Sequence, residues 1–332
     1  MQVLRQPVPL PPGTAACIGA FDGLHLGHQA LLRRARSLQP RVALVTFDPH
    51  PACVLAPGRA PRLLQSPDQR ERVCAALGLE ALVLLPFDRA LADTSPEAFV
   101  ERLLVRGLRP AAVVVGADFR FGAERRGGVD ELATLLRAAD ITLAVVDPVP
   151  VPGDMSEASG KLSSSGIRAA VARGEVERAT AMLGRWYSVE GVVVRGAGRG
   201  RQLGVRTANV DAPAALLPRP GIYAGALASL ADRDTAPPGP WPAAISLGRN
   251  PTFVDDPAAP LVLEVHALDA DLGESLYGRR VEVAFAARLR DERRFSGADE
   301  LRAQIARDLL AVPPALDPAA FASFRKCLSS GT

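Results

Sequence analysis

Two of the chain's four histidines fall in Gly19-Ala20-Phe21-Asp22-Gly23-Leu24-His25-Leu26-Gly27-His28. Imidazoles at H-x-G-H spacing can donate to phosphate oxygens and stabilise charge in a transition state without acting as nucleophiles. Further on, Ser163, Ser164 and Ser165 precede Ile167 and Arg168. Three hydroxyls at a helix start, with a guanidinium one turn inside, supply caps, backbone N–H donors and a fixed positive charge for phosphate. Val115-Gly116-Ala117-Asp118-Phe119-Arg120-Phe121-Gly122 offers a carboxylate beside two aromatic rings that can either wall a flat ligand or pack into a core. In the second half Glu264 lies in Leu263-Glu264-Val265-His266, where alternation by itself reads as an outward charge on a strand.

These residues need a scaffold. Apolar Ala15 to Ile18 predicts a first strand, and the pattern from Gln29 to Leu38 predicts a helix. The glycine-rich turn between them lets backbone approach an anion at the helix start, where the dipole is positive. Buried strands are predicted over residues 41–47, 81–86, 111–116 and 141–147, each a Val, Leu and Ala run. Ser66-Pro67-Asp68 and Ser95-Pro96-Glu97 each place a capping Ser before a Pro at the first helical position. The β-α-β-α order predicts a doubly wound α/β domain with ligands at the carboxyl ends of its parallel strands.

After Gly184 the period changes. Residues 186–195, 222–230, 243–247, 261–268 and 281–289 read as strands without intervening helices, which predicts an antiparallel β-barrel. A helix over 301–310, the Pro313-Pro314 turn and a last short helix follow. The change of period marks a first domain over 1–183 and a second over 184–332. The Pro- and Gly-rich stretch 147–162 reads as a lid within the first domain.

Composition narrows the chemistry. With 332 residues, 48% hydrophobic and 23% charged, the chain is an ordinary two-domain globular protein. A net charge of +3 requires neither nucleic acid nor an anionic membrane as partner. Only Lys161 and Lys326 are lysines, and Gly160-Lys161-Leu162 does not complete a Walker A pattern, so ATP use of the P-loop type is excluded. Cys17, Cys53, Cys74 and Cys327 form no C-x-x-C pair and read as buried free thiols. The first residues lack a signal-peptide core and no apolar run reaches about 18 residues, so the expected location is the cytoplasm.

The ten-residue step resembles the adenylyltransferase motif of the HxGH nucleotidyltransferases, in the Phe-Asp-Gly form of bacterial FAD synthetases. Leu162-Ser163-Ser164-Ser165-Gly166-Ile167-Arg168 is similar to that family's I-S-S-T-x-I-R, and Gly116 to Gly122 to its G-x-D-F-x-F-G. Thr46-Phe47-Asp48-Pro49-His50-Pro51 is similar to its T-F-x-P-H-P. The second half resembles bacterial riboflavin kinases in Gly200 to Asn209, Ser246 to Phe253, Leu263 to His266, Leu276-Tyr277-Gly278 and Leu289 to Glu292 with Phe295.

Taken together these segments resemble the bifunctional riboflavin kinase/FAD synthetases, and the resemblance covers about residues 14–311. It implies phosphorylation of riboflavin to FMN and adenylylation of FMN to FAD, with ATP as co-substrate and Mg²⁺ as cofactor. Carried onto this chain, it makes His25 and His28 the charge stabilisers of adenylyl transfer. Gly19, Phe21, Asp22, Gly23, Gly27, Asp118, Phe119, Ser163, Ser164, Ser165 and Arg168 become binding residues. Thr207 and Asn209 become the Mg²⁺ and phosphate ligands, Glu264 the general base, and Arg290 a flavin or phosphate contact. Arg206 stands where the family has proline, so it either loosens the phosphate loop or adds a charge to ATP. That departure keeps open an adenylyltransferase whose barrel binds flavin without kinase activity.

Overall fold

The structure is a computed structural model that describes residues 1–153, 160–196, 205–230, 239–249, 261–270 and 275–330. Its contacts divide the chain into two compact units. One is built on Met1–Pro61 and Pro67–Ser163, the other on Arg62–Ser66 and Ser164–Ser329.

The first unit is a six-stranded parallel sheet. Its elements are β1 (Gln2–Leu4), β2 (Thr14–Ile18), α1 (Leu26–Leu38), β3 (Arg41–Asp48), α2 (Pro51–Leu55), α3 (Pro67–Ala76), β4 (Ala81–Pro86) and α4 (Arg89–Ala92). Then come α5 (Pro96–Phe99), which continues in wider π-type turns over Val100–Leu108, β5 (Ala112–Gly116), α6 (Val129–Ala138) and β6 (Thr142–Val146). The strand order is β1-β4-β3-β2-β5-β6, all parallel. From β2 the chain first builds outward through β3 and β4, then returns to lay β5 and β6 on the other side. The carboxyl ends of β2 and β5 therefore flank the switch point where ligands of such sheets bind.

Both faces of the sheet are covered at its central strands β2 to β5, which is why these read as continuous apolar runs, while the edge strands β1 and β6 are largely exposed. Ala16, Ile18, Val113 and Val115 pack with Leu103, Leu104, Leu132 and Leu136 on one side. Ala15, Cys17 and Val114 pack with Leu31, Leu32 and Val73 on the other. Burial pushes the Cys17 thiol up to about 12, mainly by desolvation, so this cysteine is an inert core residue.

The second unit opens with two helices, α7 (Ser164–Arg173) and α8 (Val176–Leu183). Its barrel comprises β7 (Tyr187–Val194), β8 (Ala208–Asp211), β9 (Gly221–Ser229), β10 (Trp241–Arg249), β11 (Leu261–Ala267) and β12 (Arg280–Arg290). All pairs are antiparallel and the barrel closes in the order β10-β11-β8-β7-β12-β9. Closure removes the sheet edges that an open sheet of this size would expose. Tyr187, Tyr223 and Phe285 fill the interior. Helices α9 (Ala298–Ala311) and α10 (Pro318–Ser329) follow, and Phe321 and Phe324 of α10 pack on Trp186. The expected doubly wound sheet and barrel are both present. Strands β1 and β8 are additions to the sequence reading.

Candidate active sites

In the first unit, β2 delivers the chain to the switch point. Gly19 donates its N–H to the Val45 carbonyl at 3.1 Å, and buried Thr46 donates to the Ala20 carbonyl at 3.0 Å. The loop then turns through left-handed backbone at Phe21 (φ 43°), Gly23 (φ 89°) and Leu24 (φ 42°). For a non-glycine residue this conformation costs roughly 1–2 kcal/mol. Phe21 and Leu24 offset that cost by burying their side chains almost completely.

The reward for the turn is the placement of the histidines. His25 is the N-cap of α1, and its Nδ1 accepts the His28 N–H at 3.3 Å. An accepting Nδ1 carries no proton, so Nε2 of the neutral ring is the donor. The His25 and His28 rings stack with centroids 3.6 Å apart, and Phe21 stands edge-on to His28 at 5.0 Å. No acidic residue lies in the first turn of α1, whose positive end favours an anion. Asp22 is also buried within this loop.

The β5 end lies on the other side of the switch point. Phe119 N–H closes the turn on the Gly116 carbonyl at 3.0 Å. Asp118 forms an ion pair with Lys161, whose hydrogen bond holds the carboxyl below its ordinary range. Phe119 stacks on Phe121 at 5.6 Å, and buried Phe121 packs against Phe99. One ring thus anchors in the core while the other remains partly exposed. His50 caps α2, its Nδ1 accepting from Ala52 N–H at 3.2 Å. Of the expected lid, Pro150 and Lys161 form an isolated antiparallel bridge, and residues 154–159 lie outside the described ones.

Ser163 ends the first unit, and Ser164, Ser165 and Arg168 lie on α7 of the second. Arg168 donates Nε to the Arg62 carbonyl at 3.0 Å within that unit. The barrel brings the remaining predicted residues into one circumferential row. Cα partners run Val194–Asn209, Asn209–Glu264, Glu264–Ser246, Ser246–Ile222 and Ile222–Arg290. Leu263 and Val265 are buried inside, so period-2 alternation puts Glu264 on the outer face with Asn209 and Ser246.

Thr207 immediately precedes β8. Gly196 lies so close to Asn209 that a Cβ there would come within 2.1 Å of its Nδ2. The amide is therefore seated in a notch that only glycine leaves open. Asn209 and Thr207 supply neutral oxygen donors next to a carboxylate, a set that suits Mg²⁺, which keeps waters and phosphate oxygens as its other ligands.

Arg290, expected at flavin or phosphate, makes a two-pronged ion pair with Asp308 of α9, with hydrogen bonds of 2.6 and 2.9 Å. Gln304 donates to the same carboxylate at 2.7 Å. Glu292, two residues on, presses its carboxylate against Gly248 of β10. Partial desolvation of this carboxylate, on a residue otherwise exposed, raises the Glu292 pKa, with Arg290 and Arg249 opposing the shift. The motif residues Gly200–Gly204, Asn250–Phe253, Asp271 and Glu274 lie outside the described ones. Gly196 and Asp308 escaped the sequence reading, and Ser246 was noted only as the variable position of a motif. Only their register and contacts distinguish them from ordinary strand and helix residues.

Comparison with known proteins divides the chain into two matched segments. The FAD synthetase family model matches residues 9–160 and the riboflavin kinase model residues 183–314. A bifunctional riboflavin kinase/FMN adenylyltransferase of Escherichia coli K12 is 34% identical over 304 residues, covering 90% of this chain and 91% of the relative. Its counterpart in Listeria monocytogenes is 34% identical over 300 residues, covering 88% of each. A crystal structure from Streptococcus pneumoniae, described as a macrolide-efflux protein, superposes with a TM-score of 0.77 at 28% identity, covering 92% of this chain and 98% of that one. No helix among the described residues of this chain is long and apolar enough to cross a membrane. Tandem matches to both domains and relatives alike along nearly their whole length show that the chain belongs to the bifunctional riboflavin kinase/FMN adenylyltransferase family, which makes FAD from riboflavin in two ATP-dependent steps.

Proposed function

We propose that the two steps are divided between the barrel row and the switch-point loop. In the barrel, Glu264 takes the proton of the ribityl 5′-hydroxyl as its oxygen attacks the γ-phosphorus of ATP, giving FMN and ADP. Thr207 and Asn209 hold Mg²⁺, which when bound neutralises charge on the phosphate oxygens. The observation that carries this assignment is the direct pairing of Asn209 with Glu264. It supports the reading because a proton acceptor and a metal ligand for one phosphoryl transfer would need to stand about one strand spacing apart.

At the switch point, the FMN phosphate oxygen attacks the α-phosphorus of a second ATP and pyrophosphate leaves. His25, through its Nε2–H, and His28 donate to the oxygens that gain charge. Gly19, Phe21, Asp22, Gly23 and Gly27 shape the loop for close approach to the nucleotide. Asp118 and Phe119 serve the flavin end. Ser163, Ser164, Ser165 and Arg168 are assigned to the nucleotide's phosphates. Arg290 acts in the kinase half by holding the end of β12. The partners are ATP, riboflavin, FMN and FAD in the cytoplasm, with no nucleic acid, a reading supported by the net charge of +3.

A chromatogram of flavins after incubation with riboflavin and MgATP tests the division. The intact chain yields FMN and then FAD. Glu264→Gln loses FMN formation but still converts supplied FMN to FAD, whereas His28→Ala accumulates FMN. Loss of both steps in either variant would overturn the assignment.

A further inference from the structure

The segment that carries Thr207 begins where strand pairing ends. The terminal Cα partners of β8 and β11 are Ala208 and Val265, and Val205, Arg206 and Thr207 lie beyond them. One contact reaches across this gap: His266 Nδ1 lies 2.6 Å from the Arg206 carbonyl. A carbonyl only accepts, so Nδ1 must carry the proton and donate. His25 has the opposite arrangement, with its Nδ1 accepting a backbone N–H. The Nδ1 atoms of the two imidazoles thus face their backbone partners in opposite roles, one accepting and one donating.

We propose that His266 is a positioning residue of the kinase step, fixing the Val205–Thr207 segment by hydrogen-bonding the Arg206 carbonyl. The inference rests on Thr207 and Asn209 acting as ligands in that step. His266 is two residues from Glu264 on the same strand, so the two side chains share a face of β11. Strand β11 therefore supplies both the base and the anchor of the segment opposite. Its other neighbour in register is Ala244, whose methyl group leaves the imidazole room to reach Arg206. A proline at 206 would stiffen the segment by restricting φ; arginine leaves it freer in the unfolded chain and transfers that task to a side chain.

Asn and Gln substitutions distinguish the two ring nitrogens, because an Asn amide can donate from near the Nδ1 position and a Gln amide from near Nε2. Two measurements on the full chain test the proposal: riboflavin phosphorylation against MgATP concentration, and hydrogen exchange of the 206–209 amides without substrate. His266→Ala and His266→Gln should raise the KM for MgATP about tenfold, the order of one lost hydrogen bond. They should leave kcat within about twofold and speed exchange in the segment. His266→Asn should restore both readouts, and conversion of supplied FMN to FAD should be unchanged in all three. Unchanged KM and exchange in His266→Ala, or an Asn variant as impaired as the Gln one, would overturn the proposal. Thr207→Ala is the separate control. If it leaves phosphorylation intact, the ligand assignment fails, while the exchange measurement still judges the His266 anchor.

Discussion

Asn209 of β8 and Glu264 of β11 are directly opposed across an antiparallel pair. Such partners have Cα atoms about 4.5–5.5 Å apart, so the two side chains project side by side from neighbouring strands. Groups that act as a unit lose activity non-additively. Glu264→Gln should lower kcat for riboflavin phosphorylation by ~10²–10⁴. Adding Asn209→Ala should then cost less than it does alone, a coupling of ~0.5–3 kcal/mol. Steady-state kinetics of the two single variants and the double variant measure the coupling; strict additivity would show that the residues work independently.

Gly196 is a more local test of the same site. A methyl group there would overlap the Asn209 amide, so the Asn209 side chain must leave its seat. Gly196→Ala should therefore behave kinetically like Asn209→Ala in the kinase assay and leave adenylylation of supplied FMN intact. Normal phosphorylation by this variant would show that the seat is dispensable.

In the first unit, a Cβ on Gly27 would meet His25 Cε1 at 3.0 Å and Nδ1 at 3.1 Å. The ring already stacks on His28 and accepts its N–H, so it can yield only by disturbing both contacts. Alanine is a better helix former than glycine by ~1 kcal/mol. Gly27→Ala should thus leave thermal stability unchanged or higher while FAD formation from FMN falls, by up to the ~10²–10³ that loss of one charge-stabilising donor costs. Melting curves and the FMN conversion rate separate the two effects.

The Arg290–Asp308 pair is a structural tie with a functional reach. Arg290 is 21% exposed and Asp308 11%, so removing the carboxylate strands a largely buried guanidinium. Asp308→Ala should destabilise the chain by up to ~3 kcal/mol, at the low end for breaking a buried pair. Arg290→Lys should recover only part of the loss, since ammonium cannot reproduce the two-pronged geometry. If Arg290 were instead a ligand contact, its variants would raise the KM for riboflavin with unchanged melting.

Much of this layout was legible before any coordinates, and the exceptions have physical causes. The buried strands β2 to β5 announce themselves because strands covered on both faces require uninterrupted apolar residues, whereas β6, also expected to be buried, is an edge strand with only Ala144 buried and Val145 42% exposed. Strand β8 did not, because Ala208-Asn209-Val210-Asp211 is short and carries two turn-forming polar residues. Its strand character comes from pairing with β7 and β11, a non-local property. Likewise His25 and His28 were visible by spacing, whereas the tautomer of His25 depends on an N–H three residues on. Arg290 read as a ligand because its partner Asp308 lies on a later helix. The helices α7 and α8 group with the barrel unit, yet the period changes only after them, near Gly184. Helical periodicity is the same whichever core a helix serves.

Glu292 connects the barrel site to pH. Glu292 is exposed as a residue, yet its carboxylate lies against Gly248, and that partial desolvation raises its pKa above the ordinary 4.5, more than Arg290 and Arg249 lower it. A carboxyl whose folded pKa is raised binds its proton more tightly in the folded chain than in the unfolded one. Its stabilising contribution is therefore fully present below about pH 4.5 and is lost as pH rises through the folded pKa. Glutamine has the same shape and stays neutral throughout. Glu292→Gln should match the parent protein's melting temperature near pH 4.5 and exceed it at pH 7, with the gap opening across the folded-state titration. Parallel curves would show that the Glu292 carboxylate is solvated rather than pressed on Gly248. A gap that opens toward acid instead would mean that the two arginines outweigh burial.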